Sequence, residues 1–256
     1  MTMDIEKIAR PLRELLSQRE IIARCELLLH TYDIVRSANL SDEDRKELGG
    51  MVGERLAPGI FASIMSNEPV FFDLPKLDTY TQMNGRIFHF QHTKRYSKQD
   101  FASAASLFQS SLPELKAMQQ QCLADRLKEF MADAGYTLTG ESGPKLAFSA
   151  EKRNVKAFIA TSIKALDIDK YKPEKGSDHI ILVASSETLE PFVQFFQEKG
   201  QAAEDKGLQI WIMNLEKGII DPFIGYTTDL DIYNQFDNPR LAEMVRSNWS
   251  RRQEPE

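Results

Sequence analysis

Cysteine is nearly absent from this chain, with only Cys25 and Cys122 among 256 residues, far apart and each inside an apolar, helix-spaced stretch. Nothing supports a disulfide framework or a thiolate zinc site, because both need cysteines paired at short spacing. The two are read as reduced core residues of a cytoplasmic protein. Histidine is also scarce, and only His89 and His92 lie close together. On an extended segment a spacing of three sets them on opposite faces, which is wrong for shared ligation, so no metal site is expected there. No run approaches the ~18 apolar residues of a membrane span. The acidic opening Met1-Thr2-Met3-Asp4-Ile5-Glu6 lacks the apolar core of a secretory signal, so no membrane association is expected. Surplus basic charge is missing too: 32 Lys and Arg face 38 Asp and Glu, a net charge of −6 with the excess acid spread along the chain. That argues against a bulk nucleic-acid binder and leaves room only for a local basic patch. A nucleophile motif, a phosphate-cradling glycine loop and a dinucleotide fingerprint are all lacking, and no cofactor is expected. Asp221, Asp229, Asp231 and Asp237 form an acidic stretch without the regular spacing of a calcium loop.

What is present falls into two blocks, read as 1–111 and 112–256. In the first, residues 4–39 carry Ile5, Ile8, Leu12, Leu15, Ile22, Cys25, Leu29, Tyr32 and Val35 at helical spacing, with Pro11 near a helix start or breaking its first turns. Ser41-Asp42-Glu43-Asp44 supplies a capping serine and acids for the positive end of a helix. That helix is expected to stop near Ala57-Pro58-Gly59, with a short one following over 60–65. Pro69-Val70-Phe71-Phe72 and Gly85-Arg86-Ile87-Phe88-His89-Phe90 read as extended segments of a small hairpin around Asn84-Gly85. Ser97 opens a helix to about Ser110. Ser111-Leu112-Pro113-Glu114 then reads as the capping box of another, with Leu115, Met118, Cys122, Leu127, Phe130 and Met131 on one face and Gly135 as its stop.

The second block is an ordered series of strands. Tyr136–Thr139 comes first, Leu146–Ala150 and Val155–Thr161 pair antiparallel, and Ile180–Ala184 has no polar alternation, as befits a central strand covered on both faces. Leu189, Phe192, Val193 and Phe196 mark a helix that tolerates Pro191 only in its first turn, after a Thr188 cap. Leu208–Met213 then returns as a strand through a right-handed crossover. A last helix is expected after Asn238-Pro239, with Trp249 near its end.

Helix, three strands, variable segment, strand, helix, strand is an order that resembles the restriction-endonuclease-like fold of the PD-(D/E)XK nucleases, over about residues 112–215. Ala134-Gly135-Tyr136 before the first strand and Ser185-Ser186 after the fourth add local likeness. The resemblance implies an acid after a proline near the second strand, and an acid and a lysine two apart on the third, which would hold a divalent ion and position water. Here Pro144 is followed by Lys145, and the strand pair falls at Ile159 and Thr161. An ammonium repels a cation and an isoleucine offers no oxygen, so the usual site is degenerate. A relocated site would draw on Glu141, Asp167, Asp169 and Lys164, whose default reading is solvated charge.

One further stretch interleaves rings with cations: Arg86, Phe88, Phe90, Lys94, Arg95, Tyr96 and Lys98. It is the best candidate nucleic-acid surface, because cations meet phosphate and rings stack on bases; the plainer reading is a half-buried strand running into a basic helix start. The expected architecture is therefore α/β: a helical N-terminal portion with a small β-hairpin, followed by a nuclease-like mixed sheet flanked by helices. The expected function is a catalytically inactive binding or scaffold module with a protein partner or a second copy of itself. The alternatives are a nucleic-acid-binding accessory protein and a metal-dependent nuclease with relocated residues.

Overall fold

A computed structural model describes residues 5–66, 74, 77–83, 86–151, 153–185 and 190–221. The expected extended segment 69–72, the Asn84-Gly85 turn, the Thr188 cap and the last helix with Trp249 lie outside them. The described chain is a mixed α/β structure in two units that divide between Gln119 and Gln120, inside its longest helix. No helix of the described residues is long and apolar enough to cross a membrane.

The first unit is mainly helical. Helix α1 (Glu6–Gln18) holds Pro11 in its interior and buries Ile8, Ala9 and Leu12. The ring costs a helix about 3 kcal/mol, and burial of aliphatic side chains at roughly 1.5–3 kcal/mol each offsets it. The helical spacing read from Ile22 onward is corrected: Ile21–Ala23 is a strand, β1, and α2 (Arg24–Ser37) starts only after it. Helix α3 (Asp42–Val52) has the expected cap, with Ser41 Oγ accepting the Asp44 N–H and the Asp44 carboxylate accepting the Ser41 N–H, each at 3.1 Å. It stops earlier than expected, at Gly53 with φ +92°. Ala57-Pro58-Gly59 belongs instead to the first turn of α4 (Leu56–Ser66), where a proline lacks nothing. Gly59 lets the two helices touch, because a Cβ there would lie 1.9 Å from the Val52 carbonyl oxygen.

A three-stranded antiparallel sheet, order β1-β3-β2, completes this unit. Strands β2 (Leu77–Met83) and β3 (Arg86–His92) pair without a break from Leu77↔His92 to Met83↔Arg86. Alternation sends Phe88, Phe90 and His92 to one face, where Phe90 and Ala23 pack with Phe101, Ala104 and Ala105 of α5 (Lys98–Asp133).

The expected break in α5 at Ser111 does not occur: the helix runs through Pro113. The Ser110 and Ser111 hydroxyls turn back to the Leu107 carbonyl, at 2.7 and 3.1 Å, so neither caps a new helix. The helix ends as expected at Gly135, φ +84°, with the Tyr136 N–H on the Met131 carbonyl and the Gly135 N–H on that of Ala132, both 2.8 Å.

In the second unit six strands lie in the order β4-β5-β6-β7-β8-β9, which are also in chain order. Strands β4 (Thr137–Ser142), β5 (Lys145–Ala150) and β6 (Arg153–Ala160) form an antiparallel meander. Strands β7 (Asp178–Ala184) and β8 (Leu208–Asn214) continue parallel to β6, and β9 (Ile219–Asp221) closes antiparallel. On one face Trp211 meets Phe130 of α5 edge-on. On the other, Ile181, Val183, Ile210 and Ile212 pack under Phe192 and Phe195 of α6 (Glu190–Asp205), with Ile163 and Ile168 from two short 3-10 turns. Pro191 sits in the first turn of α6, as expected.

Candidate functional site

The corner where β5 begins and β6 ends holds Pro144, Lys145, Ile159 and Thr161, the four positions that the resemblance singles out. The Ile159 N–H donates to the Pro144 carbonyl oxygen at 2.7 Å, so these two backbones are directly joined. Lys145 is register partner to Phe158, and its ammonium lies 5.8 Å from the centre of that ring. Partners across an antiparallel pair share a face and successive residues alternate, so Lys145 and Phe158 point to the α6 side while Ile159 points to the α5 side. Ile159 is only 6% exposed there, and Thr161 lies just past the end of β6. The corner therefore offers a cation on one face and hydrocarbon on the other, and the four residues do not converge on a common point.

Along the α6-side face the register sets Ala147, Lys156 and His179 side by side on β5, β6 and β7. Lys156 is paired with Glu174, whose carboxyl it holds below the usual carboxylate range. His179 is buried at 3% exposure and its Nε2 accepts the Glu174 N–H at 3.1 Å, which fixes the proton on Nδ1. Burial lowers its pKa, and nearby Lys156 lowers it further, so the ring is neutral at pH 7. Sequence reasoning missed this group. The signal was a histidine heading an otherwise apolar strand, where a buried ring needs a fixed partner.

The four residues of the relocated reading are placed separately. Glu141 sits on β4 and pairs with Lys128 at 2.8 Å. Asp167 caps the second 3-10 turn and lies 3.6 Å from Lys170. Asp169 pairs with Lys206 at 2.7 Å, which keeps its pKa low, and Lys164 is exposed on the first 3-10 turn. Among the described residues no three His, Cys, Asp or Glu side chains come together as a metal would require.

The basic-aromatic stretch divides along its strand alternation. Phe90 is fully buried, Phe88 stacks beside it at 6.2 Å and meets Phe108 edge-on, and Tyr96 packs edge-on against His92 and Phe101. The Tyr96 hydroxyl donates to Glu20 at 2.9 Å and Lys94 reaches the same carboxylate at 3.2 Å. Phe90 thus belongs to the core between β3 and α5, Phe88 and Tyr96 are half-buried against it, and one acid engages Lys94. Arg95 and Lys98 are exposed; Arg86 begins β3. His89 and His92 lie on opposite faces as expected. His92 Nδ1–H donates to the Lys94 carbonyl at 2.7 Å, and its Nε2 lies 2.7 Å from the Thr79 hydroxyl, a group that can donate or accept.

Compared with known families, residues 149–238 match a model described as the C-terminal domain of a domain of unknown function (DUF6834). The match starts at Ser149, near the end of β5, and takes in β6 to β9. No curated protein matches the chain.

Proposed function

We propose that this protein acts by binding rather than by chemistry, its second unit being a nuclease-like sheet whose catalytic corner has been given up. The observation that carries the reading is the corner itself. A divalent ion in a phosphodiesterase needs several oxygen ligands on one side of the sheet. At the matching positions this chain puts the Lys145 ammonium on one face and the buried Ile159 side chain on the other. The neighbouring acids Glu141 and Asp169 are each held by a lysine of their own, Lys128 and Lys206. The element order from α5 to β8, helix, three strands, short turns, strand, helix, strand, supports the likeness to the nuclease fold. A sheet that keeps this architecture without its ligands serves as a platform for a protein partner.

The test is incubation of the full chain with supercoiled and single-stranded DNA in magnesium or manganese. The reading expects no cleavage above the level of a heat-inactivated sample. Metal-dependent cleavage that disappears in Glu141→Ala or Asp167→Ala would overturn it and restore the relocated active site.

A further inference from the structure

The two sheets have four outer edges among the described residues, and three of them are protected. Strands β1 and β9 are three residues long, too short to template another strand. Strand β4 is broken by a register shift between Leu138 and Gly140, and its Glu141 is tied to Lys128. A bulge and inward-tied charge are devices that keep an edge from pairing. Strand β2 is neither short nor bulged, and its one charge, Asp78, lies 3.9 Å from Arg24, a looser tie than that of Glu141. It is seven residues long, pairs with β3 in unbroken register, contains no proline, glycine or lysine, and has no partner on its outer side among the described residues. On the face turned away from α5, Tyr80 is 71% exposed and Ile87 of β3 is 53% exposed, with exposed His89 beside Tyr80 and exposed Asp78 and Gln82 flanking it on β2.

The sequence of this edge specifies what covers it. Leu77-Asp78-Thr79-Tyr80-Thr81-Gln82-Met83 has the same order of apolar, polar and aromatic residues read from either end, save that a carboxylate at one end answers an amide at the other. Folded about Tyr80, it sets apolar Leu77 against Met83, Asp78 against Gln82, and Thr79 against Thr81. An antiparallel strand pair places residues opposite one another in this way, and a two-fold axis through Tyr80 would do so between identical chains. The single charge, Asp78, then meets an amide that can donate to it and never a second Asp78. Thr–Thr and aromatic pairs are among the favourable cross-strand contacts. We infer that β2 is the interface of a two-fold dimer, in which β2 of two copies pair antiparallel about Tyr80 and join two three-stranded sheets into one of six strands. This inference uses only the first unit and stands apart from the reading of the larger sheet, so either can fail alone.

The test is light scattering on the full chain at about 50 µM, a concentration at which a micromolar dimer is populated. The expected mass is twice the 29.2 kDa chain. Tyr80→Lys puts two ammonium groups face to face at the axis and halves the mass, whereas Tyr80→Phe leaves it unchanged. Because Tyr80 is exposed in the single chain, neither change should alter the α-helical circular dichroism, so a halved mass reports lost pairing and not unfolding. Register is read independently by Tyr80→Cys in a Cys25→Ser background. Cysteines opposite one another at the axis bring their Cβ atoms to about 4.5–5.5 Å, and mild oxidation should give a covalent dimer. Gln82→Cys in the same background should not cross-link to itself. A monomeric parent chain overturns the inference, as does a dimer that survives Tyr80→Lys or one that cross-links through Gln82→Cys and not Tyr80→Cys.

Discussion

The larger sheet covers both faces of its central strands, whereas the smaller covers one face fully and the other only in part. Strands β7 and β8 are buried along almost their whole length, from His179 to Ala184 and from Leu208 to Met213, between α5 on one side and α6 on the other. Strand β3 gives one face to α5 and leaves the other open at Ile87 and His89. The sequences follow: β7 is a run without alternation, while β3 alternates Phe88 and Phe90 with Ile87 and His89. Stability is therefore concentrated in the larger sheet and available surface in the smaller.

The sharpest way to break this comparison is truncation. Trp211→Ala or Leu182→Ala removes a fully buried side chain from the larger sheet, and each should cost about 3–5 kcal/mol in urea unfolding. Ile87→Ala in the smaller sheet should change stability by under about 0.5 kcal/mol. Equal losses would mean that both sheets are covered.

Next in size is the pH dependence, which should run in opposite senses in the two units. The His179 pKa is lowered from its ordinary 6.5, chiefly by burial. The unfolded chain then takes up the proton first, so the contribution of this group is complete above pH 6.5 and is lost as pH falls below it. Glu26 on α2 is buried beside Arg19, 3.2 Å away, and burial raises its pKa above the ordinary 4.5. Its contribution is complete below pH 4.5 and is lost as pH rises through the folded value. Between pH 4.5 and 6.5, His179→Gln should remove a rising component of stability and Glu26→Gln a falling one, as measured by urea midpoints across that window. The same slope change from both variants would contradict the assignment.

A smaller effect is expected at Gln91, 1% exposed on β3, whose side-chain nitrogen and oxygen have no hydrogen-bond partner among the described residues. Gln91→Leu should be neutral or stabilising by about 1 kcal/mol, since it removes a desolvated amide without opening a cavity. A loss above about 2 kcal/mol would show that the amide is satisfied. Smallest of all is Lys145→Ala, expected to stay within about 0.5 kcal/mol because the ammonium is exposed.

The contrast between sheets also decides what the sequence could reveal. Local signals carried the second unit: the apolar run at β7, the hairpin of β5 and β6, and the glycine stop at Gly135 each depend on neighbours in the chain. The first unit hid its elements because they depend on distant ones. Strand β1 exists only because β3 offers it an edge, and its Ile22 falls by chance in helical register with Cys25 and Leu29. Strand β2 was passed over because Asp78, Thr79, Thr81 and Gln82 give it little hydrophobic signal beside Phe71 and Phe72. Ser111 and Pro113 look like a helix start, but the serine hydroxyl can equally bond back into an existing turn, and it does. At the candidate corner the residue types, a lysine and an isoleucine, were plain from the sequence alone. That Lys145 and Ile159 lie on opposite faces was not, because it depends on the β5–β6 register.

The central claim is that the Pro144–Thr161 corner has lost the ability to hold a divalent ion, and calorimetric titration of manganese into the full chain tests it most directly. The account predicts no saturable heat up to about 1 mM metal, where a functional site would be filled. One ion bound per chain, with binding abolished by Glu141→Ala or Asp167→Ala, would contradict it.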